Sequence, residues 1–538
     1  YDLNGGKELF ATSQTLLEVG IDPTLLKEKD LGKLSKLSLL LGKELWDVEK
    51  GFGVVENRLP DSQKSGRERW RLLARRIDEA KYQKIVDLEI SGLYGTRKYE
   101  RVYPKKSLAS HVVGLVRRDG ESVFGIEKEF DFYLNGQRGW RESEVTAGQE
   151  MAQFRRRYVP ARDGMSLALS IDSYVQHQIE AELELIAEEY HPESACIIVS
   201  DPYSGFLLGL ANYPTFDPNH YAKFDQSSHK NRAMTDPIEP GSTFKIVAAS
   251  AALEEDVVDI HSKFDCSLPT LRMPNGYVAK LPKDWKTFGV LSVEGIVTYS
   301  SNRGAAHLGT LVGSEKFYDY VRRFGFGEKT GLDIGIESRG ILHPVRNWDG
   351  LTLSRMTMGH AISATPLQIH YAMASVANGG LLMRSQVVSR ILDTESKEVV
   401  TYGPMVKRRV ISSETAKTLS QLLVKTASPG GTAHGAFISG YRVAGKTGTA
   451  QKIVDGRYSS HHHIGSFSGF FPADDPSLVI TVIVDGSRKD MPVSGSGTAV
   501  PAFRRISEKL IPYYAISPKE ERAAFALSGR PTPVETSN

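Results

Sequence analysis

Two rhythms of apolar and polar positions run along this chain, one of period two and one of helical period. Residues 167–171 alternate and predict a strand, and Asp172 or Ser173 can cap a helix directly after it. Val175, Ile179, Leu183 and Ile186 then recur at helical spacing with glutamates on the other side, which predicts an amphipathic helix packed on a core. A hairpin is next: an apolar run over 195–200, the turn Asp201-Pro202-Tyr203-Ser204-Gly205, and a return strand over 206–211. Far downstream, 441–450, 464–471 and 478–484 read as three more strands, the last two joined by Pro472-Ala473-Asp474-Asp475-Pro476. Helical patterns fill the middle over 288–311, 314–324 and 366–378. Strands at both ends with helices between predict one sheet assembled from distant segments and covered by helices, an α+β domain.

The first part of the chain is different. Residues 1–163 mix charge with short apolar patches and turn-punctuated phrases such as Arg101-Val102-Tyr103-Pro104 and Gly125-Ile126-Glu127-Lys128, which predicts an irregular α+β module. Within it, Lys64, Arg67, Arg69, Arg71, Arg75 and Arg76 with Trp70, Leu72, Leu73 and Ile77 read as a basic helix over 63–85, its charges a solvated face. A boundary falls at 160–164, so three parts are expected: 1–163, the α+β domain over 164–515, and a loose tail over 516–538.

Composition narrows the class without naming it. With 538 residues, 40% hydrophobic and 24% charged, this is an ordinary globular composition, long enough for several cores. A net charge of +3 supplies no basic field of the kind that binds nucleic acid. Two cysteines, Cys196 and Cys266, make neither a disulfide framework nor a metal site. No run approaches the ~20 apolar residues of a transmembrane helix. The chain starts at Tyr1 in what reads as a turn, so a segment ahead of it is expected.

Chemistry concentrates at three places. Glu239-Pro240-Gly241-Ser242-Thr243-Phe244-Lys245 breaks the backbone and then switches to helix formers, putting Ser242 at a helix N-terminus and Lys245 one turn on, within expected hydrogen-bonding range. A lysine desolvated among apolar neighbours has a lowered pKa and can take a serine's proton, so no histidine is needed. Alone the pattern carries little, because a Ser-x-x-Lys is expected about twice by chance in a chain this long. Tyr299-Ser300-Ser301-Asn302 follows a helical segment, and Val443-Ala444-Gly445-Lys446-Thr447-Gly448-Thr449-Ala450 interrupts a strand otherwise built for burial. Each has a plain alternative: a turn for Ser-Ser-Asn, and an edge-strand lysine that blocks aggregation for Lys446. Together they are specific, since any one tripeptide such as Lys-Thr-Gly is expected about 0.1 times by chance.

These three motifs in this order resemble the class B penicillin-binding proteins, monofunctional peptidoglycan transpeptidases of the penicillin-binding and serine β-lactamase-like fold. The likeness spans nearly the whole chain, including pedestal-like phrases at 101–114 and 125–139 and transpeptidase-like phrases at 201–219, 430–433 and 494–503. It implies an antiparallel sheet between helical layers, preceded by a pedestal domain. It implies Ser242 as acylated nucleophile, Lys245 as general base, Ser300 as proton relay and Asn302 as a substrate and Lys245 contact. Lys446 would set the electrostatics around Ser300. Ser301, Thr447, Gly448 and Thr449 would contact substrate, and the backbone N–H groups of Ser242 and Thr449 would form the oxyanion hole. The resemblance implies neither metal nor cofactor. The expected ligands are stem peptides of lipid-linked glycan strands and β-lactams, and the expected partners are a membrane glycan polymerase and divisome proteins. One N-terminal membrane helix and an extracytoplasmic catalytic domain are implied too. The compact first module and Gly125-Ile126-Glu127-Lys128-Glu129-Phe130-Asp131 favour the division type.

Some positions depart from the pattern. Arg303 follows Ser-Ser-Asn where a small or aliphatic residue is familiar, and Met358-Gly359-His360-Ala361 stands where Gly-x-Gly is usual. His461-His462-His463 is read as a loop whose three adjacent rings cannot face one ion. The competing readings are a β-lactamase or carboxypeptidase and a non-catalytic β-lactam sensor or scaffold. No Glu-x-x-Leu-Asn stretch of the class A hydrolases occurs, and the motif residues are all present.

Overall fold

The computed structural model describes residues 6–54, 70–146, 149–272, 276–454, 457–486 and 493–518. It divides into two compact units, residues 9–105 with 116–122, and the rest. The first unit is a three-stranded antiparallel sheet of β1 (Thr12–Ile21), β2 (Arg71–Ile77) and β3 (Leu93–Val102), with β1 in the centre. Leu17, Val19 and Ile21 alternate onto one face. That face is covered by apolar residues of α1 (Leu34–Leu41), α2 (Leu45–Gly51) and α3 (Glu79–Val86).

Here the expected basic helix is corrected. Lys64, Arg67 and Arg69 lie outside the described residues, and Arg71, Leu72, Leu73, Arg75, Arg76 and Ile77 form strand β2. Val19 pairs with Ala74 and Leu17 with Ile77, so three steps on β2 match two on β1. The inserted residue is a bulge at Arg76, whose φ is +59°. It turns a spacing of two into a spacing of three and so imitates a helix. The helix itself starts later, where Asp78 caps it by accepting from Lys81 N at 2.7 Å.

The second unit is organised by a five-stranded antiparallel sheet. Its strands are β4 (Ser194–Ser200), β5 (Leu207–Tyr213), β6 (Ala444–Val454), β7 (Arg457–Phe471) and β8 (Leu478–Asp485), in the order β5-β4-β8-β7-β6. β8 is buried along nearly its whole length, which is why it reads as a continuous apolar run. On one face Ile197, Val199, Phe467, Ile480 and Val482 pack with Val175, Ile179, Leu183 and Ile186 of α4 (Ser173–Tyr190), capped by Asp172 as expected. α10 (Val500–Tyr513) adds Phe503, Ile506 and Leu510 to the same core. The opposite face holds the site. It is covered by α8 (Pro366–Ala377), with the turn Gly241–Phe244 and α9 (Ser413–Ala427) against β6, and α5 (Lys245–Glu254), α6 (Val293–Tyr299) and α7 (Asn302–Val312) packed on from these.

Two further expectations are corrected. The helix foreseen over 288–311 is a short strand, Val290–Ser292, followed by α6 and α7. The break is chemical: Ser300 takes a left-handed φ of +60°, and Ser301 caps α7 by accepting from Gly304 N at 3.0 Å. His461, His462 and His463 lie on β7, not in a loop. The tail expected over 516–538 lies outside the described residues from 519 on.

Candidate active site

Pro240 and Gly241 turn the chain into a short 3-10 turn, Gly241–Phe244, which continues as α5. Ser242 sits in that first turn, where backbone N–H groups have no intrahelical acceptor. The turn rests on a loop: Gly241 N donates to Gly359 O at 3.1 Å. Gly359 has φ +83°, and a Cβ there would lie 2.1 Å from Gly241 O, so only glycine allows the approach. On the other side, a Cβ on Gly241 would stand 3.4 Å from Thr449 O, which places β6 beside the serine turn. A Cβ on Gly448 would meet Ser466 Oγ at 2.4 Å and Pro240 O at 3.0 Å, so another backbone approaches this strand position closely.

Lys245 begins a helix turn buried on every side and is itself only 3% exposed. Its Nζ donates to Ser300 O at 2.5 Å, Ser300 Oγ at 3.1 Å and Asn302 Oδ1 at 2.6 Å. The Ser242–Lys245 hydrogen bond expected from the sequence is not among these. Three acceptors match the three N–H groups of an ammonium, so Lys245 in this arrangement has no lone pair left for Ser242.

Lys446 also reaches Ser300. It is fully buried on β6, so it is not a solvent-facing edge lysine. Its Nζ donates to Ser300 Oγ at 2.9 Å and to Thr447 O at 3.1 Å. One hydroxyl thus sits between two buried amines. Burial, and then the charge of Lys446, hold Lys245 well below the usual lysine range, while Asp284 pulls the other way. Burial pushes Lys446 down to about 7.

The remaining expected residues fall into two groups. Asn302 Nδ2 donates to Lys283 O at 2.8 Å, which fixes the amide so that its oxygen faces Lys245. Thr447 Oγ1 lies 3.4 Å from Thr432 Oγ1, and Thr449 Oγ1 accepts from Gly495 N at 3.2 Å. Ser301 does not join them. It is fully buried, and its hydroxyl donates to Asp284 Oδ2 at 2.9 Å while capping α7, so it anchors a helix and offers a substrate nothing.

Asp284 is the residue the sequence did not disclose. Its Oδ1 accepts from Asn302 N and, at 3.4 Å, from Arg303 N, clamping the start of α7. It lies in a loop 18 positions before Asn302, with no periodic pattern around it. The departures are also placed. Arg303 turns its guanidinium to Ser267 O at 2.6 Å and Cys266 O at 3.2 Å, away from Ser300. His360 Nε2 stands 3.8 Å from Glu239 Oε2, and Ala361 takes a left-handed φ of +59°.

Comparison with known proteins fits this geometry. Residues 195–508 match the penicillin binding protein transpeptidase domain, and residues 1–169 match the penicillin-binding protein dimerisation domain. The chain is 34% identical over 458 residues to stage V sporulation protein D of Bacillus subtilis, covering 83% of this chain and 69% of the relative. It is 28% identical over 436 residues to peptidoglycan D,D-transpeptidase FtsI of Escherichia coli, covering 81% of this chain and 71% of that one. Among solved structures, penicillin binding protein 3 of the tubercle mycobacterium, complexed with aztreonam, superposes with a TM-score of 0.69 at 28% identity, over 78% of this chain and 92% of that one. A peptidoglycan synthetase from Bifidobacterium adolescentis gives 0.74 at 25% identity, over 96% and 95%. The chain belongs to the penicillin-binding protein transpeptidase family.

Proposed function

We propose that this protein is a division-type peptidoglycan D,D-transpeptidase that works through an acyl-enzyme on Ser242 and is inactivated by β-lactams. The observation that carries the reading is Ser300 Oγ lying 3.1 Å from Lys245 Nζ and 2.9 Å from Lys446 Nζ, beside the helix turn that carries Ser242. Two amines this close disfavour each other's charge, so one proton is held between them. Lys245 in its neutral form gives up one donated bond and accepts the Ser242 proton as Oγ attacks the penultimate D-Ala carbonyl. Ser300, bonded to both lysines, passes a proton to the departing D-Ala amine. The N–H of Ser242, at the positive end of α5, and that of Thr449 on β6 receive the charge that develops on the carbonyl oxygen. Thr447 and Thr449 hold the terminal carboxylate. An amine of a neighbouring strand then attacks the ester and restores Ser242.

On this reading 1–163 is the pedestal, 164–515 the transpeptidase domain and 516–538 a tail. None of the helices in the described residues is long and apolar enough to cross a membrane. We place the protein extracytoplasmically at the inner membrane, tethered by a segment ahead of Tyr1, with the pedestal contacting a glycan polymerase and divisome proteins. The test is labelling with a fluorescent penicillin. The intact chain takes up one label that persists for minutes or longer, and Ser242→Ala takes up none. Equal labelling would overturn the nucleophile, and release within seconds would turn the assignment to a hydrolase.

A further inference from the structure

Three consecutive residues of the loop ahead of the strand Val290–Ser292 fasten the residues that flank Ser300. Lys283 O accepts from Asn302 Nδ2 at 2.8 Å. Asp284 accepts from Ser301 Oγ at 2.9 Å and from Asn302 N. Trp285 Nε1 donates to Tyr299 O at 3.0 Å. Tyr299 is the last residue of α6, so that carbonyl has no donor to meet inside the helix. Between these points Ser300 keeps its left-handed φ of +60°, a conformation that is costly for a residue with a Cβ unless its neighbours hold it. This backbone aims the Ser300 hydroxyl at both lysines and its carbonyl at Lys245 Nζ.

The Tyr299 end of the arrangement is made of rings and one ammonium. Lys286 Nζ lies 4.8 Å from the centre of the Trp285 ring, 5.1 Å from that of Phe288 and 5.4 Å from that of Tyr299, all within cation–π range. Phe288 is buried, meets Trp285 edge-on at 5.8 Å and stacks with Tyr299 at 6.0 Å. Trp285 is 65% exposed and Lys286 is exposed as well, so neither side chain is there to fill a core. Their contacts converge on Tyr299, by its carbonyl and by its ring.

We propose that Trp285 and Lys286 are positioning residues for the reaction: with Phe288 they clamp Tyr299 and so hold Ser300 in the left-handed turn that sets its hydroxyl between Lys245 and Lys446. The inference rests on Ser242 being acylated with Lys245 as base. The clamp acts through Tyr299 ahead of Ser300 and through Asp284, the chain neighbour of Trp285, behind it. Lys245 faces Lys446 on β6, Asp284 in this loop and His360 beside Glu239. Of these three, Asp284 alone favours the charged lysine. A loosened clamp therefore leaves two marks: acylation slows, and Lys245, less supported by Asp284, loses its proton at lower pH.

The experiment follows the rate at which fluorescent penicillin labels the full chain across a range of pH. Trp285→Phe keeps a ring but deletes the N–H, and lowers the plateau rate about five-fold, the size of one hydrogen bond. Lys286→Met lowers it about three-fold, the size of an exposed cation–π contact, and Lys286→Arg restores it. In Trp285→Phe and Lys286→Met the acidic limb also moves to lower pH, a shift that a general loss of stability does not produce. Lys280→Met, which removes another exposed lysine nearby in sequence, changes neither rate nor limb. A slower rate with an unmoved limb makes Trp285 a contact of penicillin itself and overturns the positioning role. Rate and limb both unchanged, or an effect of Lys286→Met matched by Lys280→Met, also overturn it. Failure of the wild type to be labelled overturns the Ser242 reading and the clamp with it.

Discussion

Replacing Lys446 by methionine is expected to stabilise the protein while abolishing acylation. Lys446 is fully buried, and its pKa falls from 10.5 to about 7 on folding. A base whose folded pKa lies below its unfolded one binds fewer protons when folded, so stability drops as pH falls from 10.5 toward 7. Below about 7 the whole cost is present. At about 1.4 kcal/mol per pH unit over that window, it is on the order of 4–5 kcal/mol. Methionine fills a similar volume and carries no charge. It also deletes the bonds to Ser300 Oγ and Thr447 O, worth about 1 kcal/mol each, and leaves Ser300 Oγ still paired with Lys245. The net gain at pH 7 is about 2–3 kcal/mol, or roughly 2–3 °C in the transition of a unit this size. Calorimetry of the full chain at pH 7 and pH 9 measures it, following the transition that moves when the wild type is acylated by penicillin. The wild type gains stability between the two pH values, and Lys446→Met gains less. Lys245 sharpens the contrast, because losing the Lys446 charge also relieves part of its own depression. A variant less stable than wild type at pH 7, or one with the same gain at pH 9, would refute the reasoning.

Three other substitutions test the frame around the serine. Asp284→Asn keeps the shape but loses the charge on the bonds to Ser301 and Asn302, costing about 1–2 kcal/mol of stability. Because Asp284 raises Lys245, the acidic limb of the pH dependence of penicillin acylation moves to lower pH in this variant, and an alkaline shift would contradict the assignment. Gly359→Ala puts a methyl 2.1 Å from Gly241 O and must displace the Ser242 turn, so acylation falls about ten-fold or more, read from stopped-flow labelling. Ala361→Gly removes a left-handed alanine at φ +59° and raises the melting midpoint by the equivalent of about 0.5–1 kcal/mol, with a decrease counting against strain there.

What was legible in the sequence was local. The hairpin, the Asp172-capped helix and the strand β8 each carry their signal within a dozen residues, and each is where the pattern put it. The three motifs were legible because small and charged residues interrupted runs otherwise built for burial. Three things were not. The bulge at Arg76 disguised a strand as a helix, since one extra residue shifts the period. The break at Ser300 sits inside a stretch with good helical spacing, and only the paired caps Ser292 and Ser301 betray two helices. The burial of Lys446 depends on the turn at Pro240 and the end of α9 lying over an edge strand, two segments far from it in sequence. No window around Lys446 contains that information.

The face that carries Lys446 explains why the site can hold its charge. Lys446 pairs across the sheet with Ser468, and Ser468 with Thr481, so all three side chains point the same way. Ser468 Oγ lies 2.7 Å from Thr481 Oγ1, which in turn lies 2.9 Å from His370 Nδ1, and His370 Nε2 is 2.7 Å from Ser200 Oγ. This is a buried seam of hydroxyls closed by one imidazole. Burial pushes that imidazole down to about 3, which keeps it neutral near pH 7. A charged His370 would have added a third cation to the same face and driven protons off the lysines together. A neutral seam leaves the two lysines as the cations on this face, each held below the usual lysine range, with Ser300 Oγ in contact with both. On the proposed mechanism, the charges the surrounding core excludes then matter to Ser242 as much as the lysine nearest to it in sequence.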